Sequence, residues 1–385
     1  MRHWSQLPKR TDGSTRGTGM LLAAMMLAQD AAKLEAAGRY ADAEAARRSR
    51  YEQMRRRSPG DVPAADAAEK LADNLAMQLR LADAEPFYRR ALDIRLQKLG
   101  ERHGDTARSL RQLSSLAMAK GAFVEAEAFA QRALDIQRQL SPQGGIELAW
   151  ALNTLAEVLA ARGKAFEADP LFAEAIRIAR SNGDVDLAIL LNNRGNNFYR
   201  MATATVIPPM FRRRAGATRS VVAPTDAIAE DGLDPVRKRA FLSQGRQLLD
   251  EALRLFTATS GSDHPDVANL LNGLAANYRA AGNPVEAETH FRKALAIKGR
   301  FLPPDNRDRI VGEWSLGALL ATRPGREAEA RARLRAAMAG AMASQARFRE
   351  FDRAASAELR SYAPVFATSI SVAWKLANPS AVPAR

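Results

Sequence analysis

The chain has 385 residues, of which 46% are hydrophobic and 6% aromatic, with a formal net charge of +14 and no cysteine. Without cysteine there is no disulfide, no thiolate metal site and no cysteine nucleophile. An alanine-rich, aromatic-poor composition suits helices packed through small side chains rather than a sheet, and no apolar run reaches the roughly 18 residues of a membrane span.

Residues 1–28 form a basic leader, with Arg2, Lys9, Arg10 and Arg16 ahead of the apolar run GMLLAAMMLA at 19–28. Two readings are open for it: a signal peptide cut near Ala28, or a hydrophobic start to the first helix. The basic flank and the position upstream of the first repeat favour export, with a periplasmic rather than cytoplasmic location. The arginine-rich, lysine-poor balance reads as a GC-rich bacterial genome.

Helical hairpins are predicted from residue 29 onward. The first is degenerate and turns at Gly38. The second, over 63–99, has Leu79 where a turn glycine is expected, so its turn is strained or shifted. The third (104–140) and fourth (145–180) are regular. The fifth is interrupted: its helices, over 184–200 and 241–256, are separated by the proline- and glycine-containing stretch 201–237, which reads as a long loop.

The sixth hairpin, over 263–302, is the cleanest copy. Leu271, Leu274, Ala275 and Tyr278 fall at i, i+3, i+4 and i+7 on its first helix, and Ala287, Phe291 and Ala294 line its second. Gly282 supplies the left-handed residue at the turn, and Asn283 with Glu286 spells a capping box. The seventh hairpin covers 309–342, and 344–385 reads as capping helices and a tail, split at Tyr362, Ala363 and Pro364.

The register is regular. Ala91, Ala133 and Ala175 are 42 residues apart, as are Ala252 and Ala294, and Ala337 follows after 43; Ala175 and Ala252 are 77 apart, 35 more than one period. The text around these alanines repeats as AEPFYRRALDI, AEAFAQRALDI, ADPLFAEAIRI and AETHFRKALAI. This resembles the tetratricopeptide repeat family, in the 42-residue form of kinesin light chains and many bacterial proteins. The resemblance implies an all-α fold, a right-handed superhelical solenoid of about seven antiparallel hairpins over 29–343. The C-terminal helices also resemble the segment that follows such arrays in proteins with a caspase-like CHAT domain, although no such domain is found here.

In this family the first helices build a concave groove, and counting back from each turn places candidate groove residues. They are Asp66, Glu69 and Asp73; Arg108, Arg111 and Ser115; Trp150, Asn153 and Glu157; Asn192, Asn196 and Tyr199; Asn269, Asn272 and Arg279; and Trp314; either tryptophan could instead be core, Trp314 equally so. Asparagine is a mediocre helix former, so its recurrence at Asn153, Asn192 and Asn272 needs a reason. The resemblance implies an amide that holds the backbone of an extended peptide. Arg108 and Arg111 could add a carboxylate clamp.

The expected function is therefore a protein interaction scaffold or adaptor binding a peptide segment of an unidentified partner. The alternative is nucleic-acid or anionic-surface binding through the arginine clusters at 47–57 and 212–214. His3, His103, His264 and His290 show no metal-ligand spacing, and there is no P-loop, dinucleotide fingerprint or nucleophile elbow, so neither an enzyme nor a cofactor is expected.

Overall fold

A computed structural model of the chain describes residues 31–35, 39–78, 80–183, 186–204, 233–345, 359 and 362–377. The leader, Gly38, Leu79, most of the 201–237 insertion with Arg212 to Arg214, and most of the first capping helix lie outside the described residues.

Among the described residues, regular structure is helical apart from one bridge residue, Leu233. The chain divides into two compact units, Met1–Leu140 and Ser141–Arg385. The first holds α1 (Tyr40–Arg57), then the hairpins α2 (Val62–Met77) with α3 (Leu81–Leu99) and α4 (Gly104–Ala119) with α5 (Phe123–Leu140). The second pairs α6 (Ile146–Ala161) with α7 (Ala165–Asn182), α8 (Leu187–Ala202) with α9 (Pro235–Ser260), α10 (Pro265–Ala280) with α11 (Pro284–Phe301), and α12 (Arg307–Leu320) with α13 (Glu327–Gln345). It ends on α14 (Ala363–Ala377), which packs on α13.

The periodic alanines are the close-packing points. Ala91 is 1% exposed and Ala133, Ala175, Ala252, Ala294 and Ala337 are fully buried, which lets paired helices approach closely. Three residues before four of them, Tyr88, Phe172, Leu249 and Phe291 fill the space between hairpins, all buried. Burying each such side chain stabilises by about 2 kcal/mol.

The turn chemistry follows the sequence. Gly121, Gly163 and Gly282 have φ of 75°, 81° and 82°. After each, a backbone N–H reaches back five residues: Ala122 to the Ala117 carbonyl, Lys164 to Leu159 and Asn283 to Tyr278, at 2.8–2.9 Å. These are Schellman closures. Arg80 makes the same bond to Leu75 at 3.0 Å, so the residues flanking Leu79 close as the glycine turns do.

The expected capping box at Asn283 is corrected. Asn283 makes no side-chain cap bond, because in so tight a turn its own N–H, which the box would give to Glu286, is already donated to Tyr278. The first helices are capped instead: His103 Nδ1 accepts from Asp105 N at 3.1 Å, His264 Nδ1 from Asp266 N at 3.2 Å, and Asn306 Oδ1 from Asp308 N at 2.9 Å.

The insertion reshapes its hairpin. α8 runs on to Ala202, and α9 begins at Pro235, capped by Asp234, six residues before the expected start. Phe241 sits against Phe166 and Phe198, with centroids 6.1 and 5.9 Å apart.

Candidate functional site

In the second unit α8 touches α6 and α10 as well as its own partner α9, so these three first helices stand side by side. α8 carries Asn192, Asn196 and Arg200 at i, i+4 and i+8 on one face. Asn193 lies beside them.

The amides form a directed chain. Asn196 donates to Asn192 Oδ1 at 3.0 Å, Asn192 to Asn193 Oδ1 at 3.2 Å, and Asn193 to Asn153 Oδ1 on α6 at 3.2 Å. Asn153 donates to Glu157 Oε2 at 2.9 Å. The oxygens of Asn192, Asn193 and Asn153 accept, and each nitrogen donates in one direction, ending on the carboxylate. Asn153 is 2% exposed, while Asn192, Asn193 and Asn196 are half-buried and keep one N–H each outside this chain.

Burial pushes Glu157 up to about 7, against the lowering pull of Arg200 and of the Asn153 bond. Desolvation also lowers Arg200, against the charge of Glu157. The two groups feel each other, yet no N···O contact within 4.0 Å joins them, and the Arg200 guanidinium has no hydrogen-bond partner among the described residues.

On α10, Gly273 packs against Asn196: a Cβ there would lie 2.6 Å from Asn196 Oδ1. Asn269 is exposed, and Asn272 is half-buried with its Oδ1 shut away without a partner. Arg279 is half-buried on the same helix, and Tyr199 and Trp150 are half-buried on α8 and α6. Trp314 is not part of this face. Its Nε1 donates to Thr368 on α14 at 3.1 Å, and it packs with Ile310, Ala337 and Tyr362, which settles it as core.

The first unit is different. Arg95, fully buried, donates to Glu69, to Ser109 Oγ at 2.6 Å and to Asp66 at 2.6 Å. Arg108 lies 3.2 Å from Glu69 and 3.1 Å from Asp105, so the arginine expected to clamp a ligand carboxylate already faces carboxylates of its own chain. Asp73 accepts from the Tyr88 hydroxyl at 2.8 Å, Arg111 is half-buried and Ser115 exposed. The acids and bases here tie helices together.

Arginines of the 47–57 cluster are similarly engaged. Arg47 pairs with Glu35, Arg48 with Glu44 and Arg55 with Glu52, and Arg50 donates to Gln53. Among the described residues no helix is long and apolar enough to cross a membrane, and no group of three or more His, Asp or Glu is placed to hold a metal.

Sequence reasoning missed Asn193, Arg200 and Arg95. Arg200 was readable as the i+8 member of the Asn192 stripe, and Arg95 as a charge four residues after the close-packing alanine, where Ala179 and Ala341 stand in other hairpins.

Residues 63–139 and 239–300 match the family described as Tetratricopeptide repeat, and residues 148–181 match a second description of the same name. These segments thus carry tetratricopeptide repeats, a family that typically serves as a non-enzymatic scaffold for protein partners. Similar solved structures include a putative kinesin light chain of Podosopora anserina with nearly identical TPR-like repeats, 18% identical, TM-score 0.42, covering 63% of this chain and 98% of that one. A thermophilic TPR protein of Thermus thermophilus is 20% identical, with TM-score 0.41, covering 63% and 96%. A Rap protein complexed with competence and sporulation factor is 12% identical, with TM-score 0.48, covering 92% and 99%. No curated protein matches the chain.

Proposed function

We propose that the protein is an interaction scaffold that holds an extended segment of a protein partner along the first helices α6, α8 and α10. The observation that carries this is the directed amide chain from Asn196 to Glu157. It fixes three half-buried asparagines in place, each with an unused N–H and lone pair, and a backbone in extended form presents the complementary carbonyls and amides at regular intervals. Preorganised amides lower the ordering cost of binding. Three of the six arginines at 47–57 are paired with acids of their own chain, which gives the nucleic-acid alternative less support.

The test is selection of a random dodecapeptide library on the immobilised full chain, followed by hydrogen exchange with the enriched peptides. Protection confined to α6, α8 and α10 is expected. No enriched peptide, or protection confined to other helices, would sink the reading.

A further inference from the structure

In step, α10, α11 and α12 repeat α2, α3 and α4. They begin at 265, 284 and 307, each 203 residues after the starts at 62, 81 and 104. The turn bond from the Asn283 N–H to Tyr278 matches that from Arg80 to Leu75, and Leu271, Ala294 and Ile297 cluster as Ala68, Ala91 and Ile94 do. Side chains at matching positions therefore occupy matching places in the two hairpins.

The charges at those places differ. In the first unit Arg95 donates to Glu69 and Asp66, and Arg108 lies against both acids. The matching positions hold Lys298 for Arg95, Asn272 for Glu69, Asn269 for Asp66 and Val311 for Arg108. Both acids are replaced by amides. Lys298 is nevertheless 5% exposed, and its ammonium has no hydrogen bond or ion pair among the described residues. Burial pushes its titration down, with the charge of Asp308 opposing. Asn272 Oδ1 is buried without a partner as well. A cation kept in such a place without a counter-charge is costly.

We propose that Lys298, Asn272 and Asn269 form a carboxylate-binding position, in which one carboxylate of a ligand takes the place that the Glu69 carboxylate fills in the first unit. The position is separate from the peptide reading and does not depend on it. Charge sets the class. Arg95 and Arg108 meet Glu69, Asp66 and Asp105, a sum of one negative charge. Lys298 and Asp308, the counterpart of Asp105, sum to zero, so a monoanion restores that balance and a phosphate dianion overshoots it. Shape selects among monoanions. Glu69 meets Arg95 through Oε2 and Arg108 through Oε1, so the place holds two oxygens, which a carboxylate supplies and a chloride does not. The three donors of Lys298 serve both the Asn272 oxygen and the ligand, and the amide N–H groups of Asn272 and Asn269 donate where two carboxylates would repel. Asn269 and Val311 form an exposed rim, and valine is too short to cover the position as Arg108 does.

Two sources supply a carboxylate: a small free monocarboxylate, and an aspartate or glutamate side chain of a bound partner. Acetate is the probe for the chemistry they share. The full chain is melted in sodium acetate and in sodium chloride at equal ionic strength, as the parent, Lys298→Met and Asn272→Glu. Acetate should raise the parent's melting temperature by about 2 °C or more beyond its effect on Lys298→Met, which fills the same space without the charge. Asn272→Glu restores the internal acid, so it should melt above the parent in chloride and respond to acetate no more than Lys298→Met does.

Peptides enriched on the full chain then separate the sources. A partner side chain gives an acidic residue at one fixed position, with binding that competes with acetate and falls by about tenfold or more in Lys298→Met. A free carboxylate gives peptides that bind alongside acetate and ignore Lys298→Met. A library that yields no peptide overturns the peptide reading alone and leaves the acetate response in place. Equal acetate responses in the parent and Lys298→Met overturn the carboxylate position, and so does a full response that persists in Asn272→Glu.

Discussion

Asn193 on α8 donates to Asn153 on α6 at 3.2 Å, joining two first helices 40 residues apart in sequence through a pair of amides. Asn153 in turn holds Glu157, so one buried side chain connects a neighbouring hairpin to an acid. Asn153→Ala leaves Asn193 without an acceptor and Glu157 without its donor. A loss of about 1–3 kcal/mol in urea unfolding is expected, against about 1 kcal/mol for Asn193→Ala.

Glu157 gives stability a pH dependence whose sign is fixed. Its folded-state value, raised to about 7 by burial, lies above the ordinary 4.5, so the folded chain holds this proton more tightly than the unfolded one. The resulting stabilisation is full below about 4.5 and is lost as pH rises through about 7, a span worth about 3 kcal/mol. Glu157→Gln keeps an acceptor for Asn153 and abolishes this slope. Thermal melts should show the variant more stable than the parent at pH 8, with the gap closing by pH 5.

The turn glycines and the helix glycines respond in opposite senses. Gly282 has φ +82°, where an alanine is strained although nothing crowds it, so Gly282→Ala should cost about 1 kcal/mol. Gly299 lies within α11 with open space around it, and Gly299→Ala should stabilise by about 0.5–1 kcal/mol. Denaturant midpoints of the two variants test the contrast within one hairpin.

Arg95 is fully buried between Glu69, Asp66 and Ser109. Arg95→Ala removes one of the two guanidiniums beside Glu69, itself 4% exposed, and leaves it Arg108 at 3.2 Å, so it should destabilise the chain by about 1–3 kcal/mol. Chemical denaturation measures it. Replacing Arg95 and Glu69 together by methionine and leucine should recover much of the loss.

His103 and His264 are caps. His264→Ala should remove about 1 kcal/mol by freeing the Asp266 N–H, whereas His264→Asn, a strong capping residue, should hold or improve stability. Melting of the two variants at neutral pH separates a cap from a ligand.

The repeat itself was legible because its signals are local: an alanine every 42 residues, a glycine at the turn, an asparagine stripe on the first helices. Each survives in the structure as a buried Cβ, a positive φ or a hydrogen-bonded amide on a first helix. What escaped depends on distance. Arg95 meets partners 26 and 29 residues away, and Asn283 lost its box to a backbone bond that only the closed turn creates. Trp314 could be settled only by a helix about 50 residues downstream. Arg200 lies next to Tyr199, and its importance rests on Glu157, which belongs to another hairpin.

A carboxamide has no preferred sense along a chain of its own kind, since each end can serve as well as the other. An ionised carboxylate has one, because it only accepts. By standing at the last link, Glu157, once ionised above about pH 7, gives a direction to Asn153, Asn193, Asn192 and Asn196 in turn, so a single acid on one helix dictates which edge of each asparagine looks outward on the next. The order that a partner would meet on α8 is thus written on α6.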